Sequence, residues 1–145
     1  MHRLVRYSFS IAACLCLTFS ADDLGISAEA PHVPDNVRAG LDPYLANCSA
    51  CHQTGGEGIP GVFPPLKGSG VVNKDNAAQH IRVILYGMKG ARAGGVIYAA
   101  AMPPFAGALS NDDIVAIVNY ERSSWGNRGK PVTAALVAAE RGRSK

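Results

Sequence analysis

The sequence predicts an all-α domain of about four to five helices, and three observations carry that reading. Apolar residues recur at helical spacing in several separate windows. No stretch of useful length alternates apolar and polar residues. The windows are divided by segments dense in Gly and Pro, which cannot be helix interior. With 145 residues, the chain is long enough for one domain plus termini, built around a modest core.

Taken in order, Met1–Arg6 is a positive leader start and Tyr7–Phe19 a mainly apolar run, short for a membrane span. Residues 1–21 are expected to be a secretory signal, and 22–34 a flexible lead-in closed by Pro31 and Pro34. Ile11-Ala12-Ala13-Cys14 has the look of a lipoprotein box, but the apolar run continues beyond it, which favours simple cleavage. A first helix is expected from about Asn36 to Ala50, with a restart at Asp42-Pro43, where Pro suits a first helical position. Gln53–Gly70 reads as loop. Asp75–Tyr86 is a second helix, with Ala77, Ile81, Ile84 and Leu85 on one stripe and Gly87 as its stop. Val96–Ala101 is a short apolar piece, either one helical turn or extended. Ser110-Asn111-Asp112-Asp113 starts a helix running to about Ser124, with Ser110 as its cap and two acids at the positive end of the dipole. A last helix, Ala134–Arg141, is only loosely amphipathic and is read as peripheral. The domain is thus placed at 35–127 and a basic tail at 128–145.

Loss of the leader removes Cys14 and Cys16, leaving Cys48 and Cys51 as the thiols of the mature chain. Both lie in Cys48-Ser49-Ala50-Cys51-His52, the attachment pattern of a c-type haem. The two thiols can add to the two vinyl groups of one haem, and the adjacent imidazole can reach its iron. Zinc requires about four ligands, more than one Cys pair and His52 supply. A thioredoxin-like dithiol requires a βαβ setting that the sequence lacks. The glycines of Gly55-Gly56-Glu57-Gly58 lack the Gly-Lys-Ser/Thr ending of a phosphate loop.

The iron's sixth position has four candidates: Met88, Met102, His80 and His32. Met102 is favoured because Pro103 and Pro104 stiffen its loop, and a thioether raises the potential relative to a second histidine. Met88 can instead make the apolar contact that follows a helix stop, onto Val83. His80 is expected half-exposed on its helix. Phe63-Pro64-Pro65-Leu66 offers carbonyls without competing N–H groups, so Pro64, or else Pro65, is expected to accept the second N–H of His52. Phe63, Leu66, Ile84, Tyr98, Phe105, Val118 and Trp125 are the haem-pocket candidates, and Tyr44 shares the helix face of Cys48.

These segments together resemble the class I c-type cytochromes. The residues are Cys48–Gln53, Gly56–Leu66, Met102-Pro103-Pro104-Phe105, Leu109-Ser110 with Asp113-Ile114, Asn119-Tyr120 and Ser124–Asn127. The resemblance covers about Pro34–Arg141. It is closest to the cytochrome subunits of bacterial membrane-bound alcohol and sugar dehydrogenases and to small periplasmic relatives. It implies a cytochrome c fold with the first and last core helices packed across each other. It also implies one covalent haem c on Cys48 and Cys51, with His52 and Met102 as axial ligands and the Pro64 carbonyl orienting His52. Those dehydrogenase subunits resemble three such domains in a row, whereas this chain has one attachment site, so a stand-alone carrier is expected.

The expected function is one-electron transfer in the periplasm by a protein that is not itself an enzyme. Its partners are expected to be redox proteins, a dehydrogenase or a reductase or oxidase. Two alternatives stand beside it. One is a haem-bearing subunit of a dehydrogenase, nitrite reductase or oxidase complex; the other is a haem peroxidase or ligand sensor with an open sixth site. From Asp35 to Gly126 seven basic residues balance seven acidic ones, and no dense basic stripe with aromatics suggests nucleic acid. Lys67, Lys74, Arg82, Lys89 and Arg92 form a mildly basic middle suited to an acidic partner or simply to solvent. Membrane association is expected only through a partner or through an uncleaved or lipidated N-terminus.

Overall fold

The structure, a computed structural model, describes residues 35–143. The expected signal, lead-in, Cys14, Cys16 and His32 lie outside the described residues, as do the last two residues of the tail. Among the described residues, six helices and one two-stranded hairpin follow in order: α1 Asp35–Asn47, α2 Ser49–His52, α3 Gly70–Asn73, α4 Ala78–Tyr86, β1 Arg92–Ala93, β2 Val96–Ile97, α5 Asn111–Ser123 and α6 Ala134–Gly142.

α1 runs through Pro43 without the expected restart. Proline there removes one helical N–H, whose acceptor would be the carbonyl of Ala39; Ala39 is exposed, so water can take that place. The Cys48 N–H bonds to the Tyr44 carbonyl (2.8 Å) and the His52 N–H to the Cys48 carbonyl (2.9 Å), which carries the chain directly into α2. α1 crosses α5 at Gly40. A Cβ there would lie 2.1 Å from the Ala116 carbonyl oxygen and 2.5 Å from the Tyr120 Cβ, so only glycine permits this approach.

α3 is not anticipated by the sequence reading; it forms because the Ser69 hydroxyl caps the Val71 N–H. α4 starts later than expected, where the Asn76 side chain accepts the Ala78 N–H at 2.9 Å. It ends at Gly87, whose φ of 75° is left-handed. Here too a side chain is excluded, since a Cβ would sit 2.4 Å from the Met102 carbonyl oxygen. The piece around Val96 is extended, paired antiparallel with Arg92–Ala93 around Gly94 and Gly95. Both glycines have positive φ, as a tight two-residue turn demands.

α5 begins with a full capping box: the Ser110 hydroxyl accepts the Asp113 N–H at 3.1 Å, and the Asp113 carboxylate accepts the Ser110 N–H at 3.0 Å. Its inward stripe of Ile114, Ile117 and Val118 is fully buried, with Tyr44, Ile81 and Leu85 facing it from α1 and α4.

The sequence reading makes 128–145 a basic tail with a peripheral helix; the structure instead packs α6 against α4 and α5. Val132 and Val137 enter the core cluster, and Val137 is fully buried. Polar ties hold the helix in place. The Tyr86 hydroxyl donates toward the carbonyls of Glu140 and Arg141 near 3 Å, and Arg141 binds the Ala106 and Leu109 carbonyls and the Asn111 side chain. The weak amphipathic pattern misleads because few residues of the helix carry the contact while carbonyls from other elements supply the rest.

Candidate functional site

Cys48, Cys51 and His52 stand on one helical stretch that continues from α1. Cys48 is buried beside Tyr44, Cys51 is half-buried, and both are free thiols. Burial, helped by the nearby Glu121 charge and by Cys51, pushes the Cys48 thiol up to about 12. His52 is buried, and its Nδ1 lies 2.9 Å from the Pro64 carbonyl oxygen. With the proton on Nδ1 donated to that carbonyl, Nε2 keeps its lone pair for a metal.

The loop from Gln53 to Leu66 is shaped to bring Pro64 to the imidazole. Gln53 leaves the helix at a positive φ of 64°. The Gly58 N–H returns to the His52 carbonyl (3.0 Å), and the Ile59 N–H binds the Phe63 carbonyl (2.9 Å). Leu66 and Lys67 both donate to the Gly56 carbonyl (2.8 and 2.9 Å). Gly58 has a φ of 66°, and a Cβ there would fall 2.4 Å from the Phe63 carbonyl oxygen and 2.7 Å from that of Pro64. Glycine at this position therefore lets the orienting carbonyl approach.

Met102 is half-buried and packs on the core cluster with Leu66, Phe105, Leu109 and Trp125. Its backbone pairs with that of Met88: the Met102 N–H to the Met88 carbonyl at 2.8 Å, and the Met88 N–H to the Met102 carbonyl at 3.1 Å. The Phe105 N–H binds the Ile84 carbonyl (3.0 Å) and the Ala106 N–H the Leu85 carbonyl (3.1 Å), tying the loop to the end of α4. Of the other candidates for the iron, His80 is buried, not half-exposed: its Nε2 is 2.6 Å from Glu121 Oε2. That contact occupies its Nε2 inside the core. Among the pocket candidates, Phe63, Leu66, Phe105 and Trp125 are half-buried, while Ile84, Tyr98 and Val118 are covered by protein.

A set of supporting residues escaped the sequence reading. Arg122 is buried, with Nη1 donating to the Val72 carbonyl (2.6 Å), Nη2 to that of Lys74 (2.9 Å) and Nε to that of Lys130 (2.6 Å). Burial lowers the proton affinity of its guanidinium, which the Asp75 carboxylate partly offsets. Buried Asn127 donates to the Leu66 and Glu121 carbonyls and accepts from the Gly68 N–H and Asn73 side chain. It thereby fastens the loop that follows Pro64 to the end of α5. Tyr44, Tyr120 and Trp125 form an aromatic trio with ring centroids 5.1–5.3 Å apart; Trp125 Nε1 donates to the Thr54 carbonyl and the Tyr44 hydroxyl to that of Gln53. Burial, then the Glu121 charge, raises the Tyr44 phenol, so it stays a donor at neutral pH. Nothing local in the sequence marks Arg122 or Glu121 as buried, beyond their place near the inward stripe of α5.

The donor chemistry tests which group these residues fit. Two thiols, one imidazole with a carbonyl-bound Nδ1 and a thioether on a proline-braced loop are donors of different kinds. Among the described residues no group of three or more His, Cys, Asp or Glu converges as a cage for a bare metal ion. An imidazole and a thioether suit a metal whose other positions are filled by a macrocycle, and two thiols suit its covalent attachment. The residues therefore fit a c-type haem. A surface groove of about 770 Å³ beside Arg82, Tyr86 and Arg143 contains none of them.

Helical fold and donor set together define a c-type cytochrome domain. The chain belongs to the cytochrome c family described as "Cytochrome C oxidase, cbb3-type, subunit III", whose model it matches over residues 35–120. Members of this family carry electrons through covalently bound haem c. The chain is 38% identical over 99 residues to the alcohol dehydrogenase (quinone) cytochrome c subunit of Gluconacetobacter polyoxogenes, which covers 68% of this chain and 21% of that subunit. It is 38% identical over 89 residues to cytochrome c-552 of Thermus thermophilus (59% of this chain, 67% of the relative). To the gluconate 2-dehydrogenase cytochrome c subunit of Pantoea cypripedii it is 31% identical over 142 residues, 95% of this chain and 32% of that subunit. The chain thus spans about a fifth to a third of the dehydrogenase subunits it matches.

Proposed function

We propose that this protein is an exported electron carrier that moves one electron at a time between redox proteins and is not itself an enzyme. Cys48 and Cys51 hold one haem c covalently, and His52 and Met102 are its axial ligands. The haem, when bound, supplies the one-electron couple. The observation that carries the reading is the 2.9 Å contact from His52 Nδ1 to the Pro64 carbonyl, in a loop whose glycines permit it. It fixes the imidazole's tautomer and direction and strengthens Nε2 as a donor. The Met88–Met102 backbone pair holds the thioether loop, so the chain's residues need to move little as charge changes. Half-buried Phe63, Leu66, Phe105 and Trp125 exclude water from the apolar side of the site.

Residues 1–21 act as an export signal and 22–34 as a lead-in to the domain. Among the described residues no helix is long and apolar enough to cross a membrane. The electron donor is proposed to be a dehydrogenase, since several relatives are named as cytochrome subunits of dehydrogenases. Attachment is tested by the mass of the denatured, exported protein. The expected result is a gain of one haem that survives denaturation and is lost in Cys48→Ser/Cys51→Ser; a haem that dissociates on denaturation contradicts the reading.

A further inference from the structure

The core of the domain contains an ionisable pair that neither thioether attachment nor axial ligation uses. His80 on α4 and Glu121 on α5 meet at 2.6 Å, each with a side chain 4% exposed, so one proton and its charge are shared deep inside the molecule. We propose that this pair takes up a proton when the haem is reduced, so that the protein's electron affinity depends on pH. The inference rests on the reading of Cys48 as a haem attachment residue.

The geometry leaves the pair two states. With one proton on Nε2, His80 donates to the Glu121 carboxylate and Nδ1 is a bare lone pair; the pair then carries one negative charge in the core. With a second proton the pair is neutral, but it gains a donor on His80 Nδ1, an atom that is buried and has no hydrogen-bond partner among the described residues. The first state costs the burial of a charge, and the second costs a buried unpaired donor. Each state thus carries a cost of its own, and a charge placed nearby alters one cost and not the other.

A haem attached at Cys48 would supply that charge. The field of Glu121 already reaches Cys48, where it opposes ionisation of the thiol. An electron arriving from the redox partner adds one negative charge to the haem, which a negative pair disfavours and a neutral pair does not. The balance is one electron from the partner and one proton from solvent, with no bond made or broken except that to the proton. By linkage, whatever reduction does to proton affinity, protonation does to electron affinity.

Other ionisable groups on the surrounding elements are committed elsewhere. On α1, the Tyr44 hydroxyl donates to the Gln53 carbonyl, and beside α2 the Cys48 sulfur is the attachment atom. On α5, Arg122 is held by three carbonyls, and Tyr120 packs against Tyr44 and Trp125. Ahead of α4, Lys74 and Asp75 are exposed, and Asp75 pairs with Lys130. On α4 itself, Arg82 is exposed beside Glu140 of α6, whose other neighbour is Arg143. No hydrogen bond among the described residues joins any of these to His80 or Glu121.

The test is a spectroelectrochemical titration of the holoprotein from about pH 5 to pH 8, the range in which histidine exchanges protons. The expected result is a reduction constant that falls by up to tenfold per pH unit, about 59 mV for one electron, over part of that range. Glu121→Gln keeps an acceptor for His80 and removes the charge. It should flatten the dependence and raise the reduction constant at the alkaline end, with the haem's axial bands unchanged. If that variant does not fold, His80→Gln, which removes the basic imidazole, should flatten the same region. A wild-type potential independent of pH, or a slope identical in wild type and the folded variant, overturns the coupling alone. A protein without a c-type haem spectrum overturns the carrier reading and the coupling with it.

Discussion

Cys48 illustrates how one residue's surroundings separate two stages in the life of the site. In the folded chain without haem its thiol is buried and pushed up to about 12, so at neutral pH almost none is thiolate, the reactive form. Folded haem-free protein should therefore be alkylated at Cys48 many times more slowly than denatured protein, as mass spectrometry of timed samples would show. Equal rates would mean that the burial does not hold in solution. Met102 and Met88 make the sharpest residue-level pair, because their backbones are bonded to each other and only their side chains are in question. Met102→Ala should lower the reduction potential and admit external ligands, whereas Met88→Ala should leave both nearly unchanged. Loss of the axial band in Met88→Ala, but not in Met102→Ala, would reverse the assignment. Cys48, Cys51, His52 and Met102 stand out in the sequence as candidates because the spacing of the first three and the proline bracing of the fourth are local. Glu121 falls on the face of Ile114, Ile117 and Val118 in the sequence; the burial of Arg122 was not legible, because a charged residue on a helix normally reads as solvent-facing, and only carbonyls of Val72, Lys74 and Lys130 make its burial tolerable.

At the scale of elements, α5 is specified twice, by its cap and by its crossing with α1. The Asp113 carboxylate is held below its ordinary range by hydrogen bonds from the Ser110 side chain and backbone. A depressed carboxylate stabilises the fold above its unfolded value and loses that contribution as pH falls through the folded one. Ser110→Ala should therefore destabilise the fold at neutral pH, with the difference from wild type narrowing in acid; denaturant titrations at two pH values would show it. A difference that widens in acid would contradict the capping box. The cap was readable from Ser110-Asn111-Asp112-Asp113 alone. The crossing at Gly40 was not, since the need for glycine comes from Ala116 and Tyr120, far along the chain. Gly40→Ala should separate α1 from α5 and destabilise the fold, even though alanine has the better helix propensity. A thermal midpoint equal to or above wild type would refute the close approach.

For the molecule as a whole, α6 closes a core that the sequence reading leaves to α1, α4 and α5. Val137 is fully buried and Val132 nearly so. Val137→Ala should cost roughly 2 kcal/mol, measurable by denaturant unfolding, whereas a peripheral helix would give a change near zero. The last helix was misread because its contribution lies in a few apolar contacts and in backbone carbonyls, and neither produces a strong periodic signal. The α4 stripe with its Gly87 stop and the cap of α5 were legible, because caps, stripes and glycine stops are written locally. We propose that the chain's own His52 and Met102 fill both axial positions of a covalently held haem. It is tested most directly by the absorbance spectrum of the oxidised holoprotein, with carbon monoxide added to the reduced form. A methionine–iron charge-transfer band and no rapid binding of carbon monoxide are expected; no such band together with rapid binding would contradict the account and mark a protein with an open site.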